Sequence, residues 1–233
     1  MKHAKHTETH FQSSDLVTDI VIGMSDGLTV PFALAAGLSG AVPNTKIIVI
    51  AGLAEVAAGS IAMALGGYLA GRTEVDHYDA EVKREQYEVD HMPEKEKEEV
   101  REIFAGMGMS AGTQHLVVEE MSQDKEKWVD FMMRYELGLE KPDPRRARNS
   151  AFNIGISYIV GGMVPLSPYF FTADPAEGLK WSCVITVVCL FVFGFLKAKA
   201  TGQNTWGGAV RVTLIGSLAA AAAFFIARLF NAH

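Results

Sequence analysis

Two carboxylates and a thioether stand where a lipid-embedded chain has least use for them. Asp26 sits inside the apolar run Leu16–Leu38, and Glu55 and Met63 lie in the next apolar run. An ionised carboxylate in hydrocarbon costs at least ~2.5–3.5 kcal/mol. Asn or Ser would fill the same space more cheaply, so the acids point to a path for a cation. Mg²⁺ and Ca²⁺ take oxygen ligands, whereas sulfur draws softer, transition-type ions. The first two apolar runs hold neither His nor Cys, which argues against a dedicated zinc or copper site. Fe²⁺, Mn²⁺ or Co²⁺ fits best. A buried carboxyl keeps its proton, and an arriving cation expels it. Metal entry then releases a proton and protonation releases the metal, which is the elementary step of an antiporter.

A second set of acids lies in a charged block. Residues 71–148 hold 13 of the 21 Lys and Arg and 20 of the 27 Asp and Glu. Glu74, Glu81, Glu85 and Glu88 recur at helical spacing, and like charges at i,i+4 cost ~0.2–0.5 kcal/mol per pair. Glu96 and Glu99 repeat the pattern, with Glu102 one step further. Met132 and Glu136 stand at i,i+4, with Met133 adjacent. Taken alone, such stripes fit an exposed charged bundle equally well. Beside a membrane path built from the same ligand types, metal capture is the favoured reading, with Glu85, Glu88, Glu96, Glu99, Met132 and Glu136 as ligands. Glu81, Glu102 and Met133 are possible additions. The polar tail carries His3, His6 and His10 and is expected to be disordered.

These residues need helices to hold them. Apolar stretches run over 17–42, 47–70, 151–171, 181–196 and 206–230, each near the ~20 residues that cross ~30 Å of hydrocarbon. The first is too long, and its flank too acidic, for a cleaved signal peptide. Lys and Arg gather in the charged block and at Lys197 and Lys199. This places the N-terminus and the block in the cytosol and the C-terminus across the membrane. With ~1.5 Å rise per residue, Asp26 and Met63 fall ~24 Å from the turn between the first two spans, and Glu55 ~12 Å from it. Pro31 is expected to kink the first span.

The second span continues without a breaker to Asp90, which predicts one long helix, half in lipid and half in the cytosol. Pro93 opens the next helix, 94–104. Gly106, Gly108 and Gly112 predict a loop, and a third helical stretch covers 115–139, with a break near Ser122. The reading is all-α: five membrane helices with a three-helix cytosolic domain between the second and third. The boundaries are a tail at 1–14, spans at 15–72, the metal-binding domain at 73–148 and the last spans at 149–233. Cys183 and Cys189 lie on different faces of the fourth span and read as small apolar residues.

The stretch Ser25-Asp-Gly-Leu-Thr-Val-Pro-Phe-Ala-Leu-Ala-Ala-Gly-Leu38, the Glu55…Met63 span and the Glu-rich insert resemble the vacuolar iron transporter family. The resemblance covers nearly the whole chain from about Thr7. It implies a homodimer in the vacuolar membrane, with the path between protomers, that moves Fe²⁺ from cytosol to vacuole against protons. Mn²⁺, Co²⁺ and Zn²⁺ are possible further cargoes. It implies that Asp26, Glu55 and Met63 line the path and that the insert residues named above bind metal. No catalytic cofactor and no nucleic acid is expected. Nor is an enzyme: no nucleophile–base pair, phosphate loop or nucleotide fingerprint is found. The competing reading is a membrane-tethered metal binder or sensor without transport.

Overall fold

The computed structural model describes residues 15–231, and the tail histidines lie outside them. Most of the described residues are helical, with no strand among them. They form α1 (Asp15–Ser39), α2 (Thr45–His91), α3 (Pro93–Gly106), α4 (Ala111–Met121), α5 (Lys125–Tyr135) and α6 (Arg146–Leu166). A 3-10 turn (Ser167–Phe170), α7 (Pro175–Ala200) and α8 (Thr205–Asn231) complete the chain. Five helical stretches are long and apolar enough to cross a membrane: α1, α2, α6 with its 3-10 turn, α7 and α8.

The chain divides into two compact units, Leu69–Ala147 and the described residues on either side of it. In the flanking unit the usual burial order is reversed. Asp19, Ser150, Ser157, Ser182 and Thr186 are buried, while Ile61, Leu214, Leu218 and Phe225 on α2 and α8 are exposed. A surface of this kind needs hydrocarbon around it. Inside, Ala35, Ile48, Val56, Leu166 and Tyr169 form one apolar cluster. The Ser39 hydroxyl and the Tyr169 phenol lie 2.8 Å apart. Helices α1 and α6 touch backbone to backbone. A methyl group built on Gly27 would fall 3.0 Å from Tyr158 Cα, and one on Gly161 3.0 Å from the Leu28 nitrogen. Small residues permit this approach where the lipid gives helices no hydrophobic reason to associate. Helix α1 continues through Pro31 to Ser39. The fourth span is longer than its apolar run, because Asp174 caps α7, its carboxylate accepting from the Ala176 amide at 3.1 Å. Both cysteines are free thiols.

The unit Leu69–Ala147 has a conventional core of Val89, Val100, Phe104, Val118, Trp128, Val129, Met132 and Met133. On α5 the buried residues recur at i, i+1, i+4 and i+5, one face of a helix. Pro93 opens α3 at a position where its missing N–H costs nothing. Helix α4 starts at Ala111, ahead of the expected 115, because the Ser110 hydroxyl caps it by accepting from the Thr113 amide at 3.4 Å. Gly112 therefore lies in the helix rather than in the loop. Gly108 supplies the turn with φ +85°, a conformation that costs glycine little. The stretch expected over 115–139 is two helices, interrupted at Ser122–Asp124, where the Asp124 carboxylate caps α5 from 3.3 Å. Gly138, at φ +65°, turns the chain after α5 and lets the Leu139 amide donate back to the Met133 carbonyl.

Candidate functional site

Glu85 and Glu88 come from α2, Glu96 and Glu99 from the first turns of α3, and Glu136 from the end of α5. Their carboxylate oxygens meet in two groups. Glu85, Glu88 and Glu96 bring oxygens within 4.8 Å of one another, and so do Glu96, Glu99 and Glu136. Glu96 belongs to both. Glu85 and Glu96 are fully buried, and none of their four carboxylate oxygens has a hydrogen-bond partner among the described residues. Native structures rarely leave buried polar atoms unpaired. Burial raises the pKa of Glu85 to about 7, with Glu136 and then Glu88 adding to the shift and Arg84 opposing it. Glu96 also rises to about 7, through burial first, then Glu99, Glu85 and Glu88, with Lys95 opposing. Glu136 shifts upward for the same leading reason, reinforced by Glu99 and Glu88. Two groups of three hard oxygens at this spacing have the ligand type that a divalent cation takes.

The remaining residues of the block fall elsewhere. Glu81 is half-buried and paired with Arg84 at 2.9 Å. Glu102 is exposed and belongs to neither carboxylate group. Met132 and Met133 are buried in the apolar core, on the helix that leads to Glu136. Glu74 is exposed. Glu88 and His91 have the Glu-x-x-His spacing of di-iron sites, but the His91 ring stacks on Tyr87 at 4.0 Å and its Nδ1 lies 2.8 Å from the Tyr87 carbonyl.

In the membrane-type unit, Asp26 on α1 and Glu55 and Met63 on α2 are all half-buried. Tyr158 of α6 meets both helices that carry these acids. Its main chain packs on Gly27, next to Asp26, and its phenol donates to Glu55 Oε1. It is itself buried. Gly59 makes room for the ring: a methyl group there would fall 2.6 Å from Tyr158 Cζ. The other Glu55 oxygen, Oε2, is buried without a partner. A third acid, Asp19, stands two turns before Asp26 and is held to α6, accepting from the Ser150 hydroxyl at 2.8 Å and the Asn153 amide at 3.3 Å.

Sequence reasoning missed Tyr158, Asp19, Arg84 and Lys95. Tyrosine in an apolar span attracts no notice, since its ring belongs there. Asp19 is seven residues from Asp26, one helical face, and that interval was its signal. Arg84 and Lys95 each stand immediately before a buried glutamate, a spacing that resembles an ordinary solvated face.

Comparison with known proteins gives one consistent result. The model of the VIT family matches residues 17–228. A Tulipa gesneriana protein named Vacuolar iron transporter 1 is 50% identical over 224 residues, 96% of this chain and 91% of its own length. The Arabidopsis thaliana protein of the same name is 51% identical over 223 residues, 96% of this chain and 89% of its own. Protein CCC1 of Saccharomyces cerevisiae is 39% identical over 232 residues, 95% of this chain and 71% of its own.

Proposed function

Because this chain belongs to the VIT family, we propose that it carries Fe²⁺ from the cytosol into the vacuole in exchange for protons. The observation that supports this most directly is the set of buried carboxylate oxygens without a hydrogen-bond donor: both of Glu85, both of Glu96 and one each of Glu55 and Glu81. Oxygens in that condition bind a proton or a metal ion, and the two compete. Glu85, Glu88, Glu96, Glu99 and Glu136 capture the ion on the cytosolic side, in the domain 73–148. Met132 and Met133 are candidate thioether ligands on the helix that carries Glu136.

The ion then passes Asp26, Glu55 and Met63. Tyr158 holds one Glu55 oxygen and leaves the other for cargo. Met63 biases the path toward transition-type ions, so Mn²⁺, Co²⁺ and Zn²⁺ are secondary cargoes. Protons returning from the acidic lumen discharge the path acids and reset them. Two copies, related by a twofold axis, enclose the path between them. The N-terminus faces the cytosol and the C-terminus the lumen of the vacuole.

The test is Fe²⁺ uptake under anaerobic conditions into liposomes that hold only this protein and an acidic interior. Uptake above that of protein-free liposomes is expected. Metal binding without uptake would instead favour the tethered sensor, a reading that leaves Asp26 and Glu55 without a purpose in the membrane.

A further inference from the structure

We propose that Arg84 and Lys95 are resident counter-ions of the two carboxylate groups, which an arriving metal ion displaces, and that they thereby set the free-metal level at which the groups load. The inference rests on the metal-binding reading above. Arg84 spreads over three acids. Its Nη1 lies 2.9 Å from Glu81 Oε2, its Nη2 3.6 Å from Glu85 Oε1 and its Nε 3.9 Å from Glu88 Oε1. Lys95 does the same for the second group, with Nζ 2.8 Å from Glu99 Oε1 and 3.9 Å from Glu96 Oε1. The cations are half-exposed, at 50% and 59%, whereas Glu85 and Glu96 beneath them are 1% and 0% exposed.

An ordinary surface ion pair joins one cation to one acid and does little. Here each cation spans a buried acid and its neighbours, yet leaves the buried oxygens without a hydrogen bond. The pairing lowers the charge of the group without closing it. A transition-type ion holds carboxylate oxygens at roughly 2.0–2.2 Å. Seated among these oxygens, it would share them with the guanidinium or the ammonium, and like charges at that separation repel. Both side chains have long flexible stems and a free route to water, so they can withdraw. The two groups hold five carboxylates, of which the ion pairs of Arg84 and Lys95 reach four, Glu85, Glu88, Glu96 and Glu99. The surplus is negative before loading, and it draws the ion in while the cations hold the empty groups together.

The experiment is anaerobic Fe²⁺ titration calorimetry on the full chain in lipid nanodiscs, comparing wild type with Arg84→Gln, Lys95→Gln and the charge-keeping Arg84→Lys. Each Gln variant is expected to bind Fe²⁺ about tenfold more tightly, with Arg84→Lys close to wild type. The metal-free melting temperature should fall in the Gln variants while the Fe²⁺-induced rise grows, a pair of opposite shifts that simple loss of structure does not produce. Should Arg84→Gln not fold, Lys95→Gln carries the same comparison on the other group. Folded Gln variants with unchanged or weaker Fe²⁺ affinity overturn the displacement proposal alone. A wild-type protein that binds no Fe²⁺ overturns it together with the metal-binding reading.

Discussion

Glu96 is the residue on which the two carboxylate groups depend, because it supplies an oxygen to both. Glu96→Gln should therefore weaken Fe²⁺ binding more than Glu88→Gln or Glu136→Gln, each of which touches one group. Calorimetric stoichiometry reads the difference directly: Glu96→Gln lowers the number of ions held, and equal effects from all three would contradict the shared position. In the membrane unit, Tyr158→Phe removes the donor to Glu55 while keeping the ring. A hydrogen bond to a charged group is worth about 1.5–3 kcal/mol, so Fe²⁺ flux into liposomes should drop at least tenfold, with the protein still folded.

How far single residues were legible follows from their surroundings. Asp26 announces itself, as a carboxylate in an apolar run has few other uses. Tyr158 does not, because its phenol matters only through Glu55, on a helix about a hundred residues away in sequence. The i,i+4 spacing of Met132 and Glu136 predicts a thioether ligand, with Met133 a possible addition, and spacing alone does not separate a thioether that packs from one that binds. The burial of the two methionines among Val100, Phe104 and Trp128 became visible only with α3 and α5 in place.

At the scale of elements, close packing of α1 on α6 fixes where Asp26 stands relative to Tyr158 and Glu55. Gly23 and Gly27 of α1, and Gly59 of α2, leave no room for a Cβ against α6. Gly59→Leu drives a side chain into the Tyr158 ring, and overpacking of this sort costs typically 1–3 kcal/mol. The detergent-solubilised protein should melt several degrees lower, and its flux should fall even where it remains folded. An unchanged melting temperature would show that the ring has room to move.

The long α2 could be read from the absence of any breaker before Pro93, and the start of α3 from Pro93 itself. The break near Ser122 that separates α4 from α5 was legible too, but its cap was less so. Asp124 caps α5 through one hydrogen bond, and the surrounding polar residues suit a helix nearly as well as a cap. The pairing of Glu96 with acids of α2 on one side and α5 on the other is tertiary, and no interval along the chain encodes it.

For the whole molecule, proton and metal compete for the same oxygens. Glu85 and Glu96 have pKa values near 7 in the folded protein, above the ordinary range of a glutamate. Their contribution to the stability of the metal-free protein is thus fully present below that ordinary range and is lost as pH rises through about 7. Metal affinity has the opposite sign. Protons block the groups below about pH 7 and leave above it, so Fe²⁺ binding should tighten from pH 5.5 to about 7.5 and then level off. Titrations at several pH values check both trends, and affinity independent of pH across that window would contradict them. For a domain that the proposed function places in the cytosol, this ordering favours loading at near-neutral pH; release into the lumen would rest on the membrane acids instead.

The central claim is that acids in the membrane exchange Fe²⁺ for protons, and it is tested most directly by recording both ions at once. Liposomes containing only this protein, with a pH-sensitive dye inside and Fe²⁺ added outside, should show interior alkalinisation that follows Fe²⁺ entry. Asp26→Asn and Glu55→Gln should abolish both signals together. Fe²⁺ entry with no proton movement, or full activity in Asp26→Asn, would contradict the account.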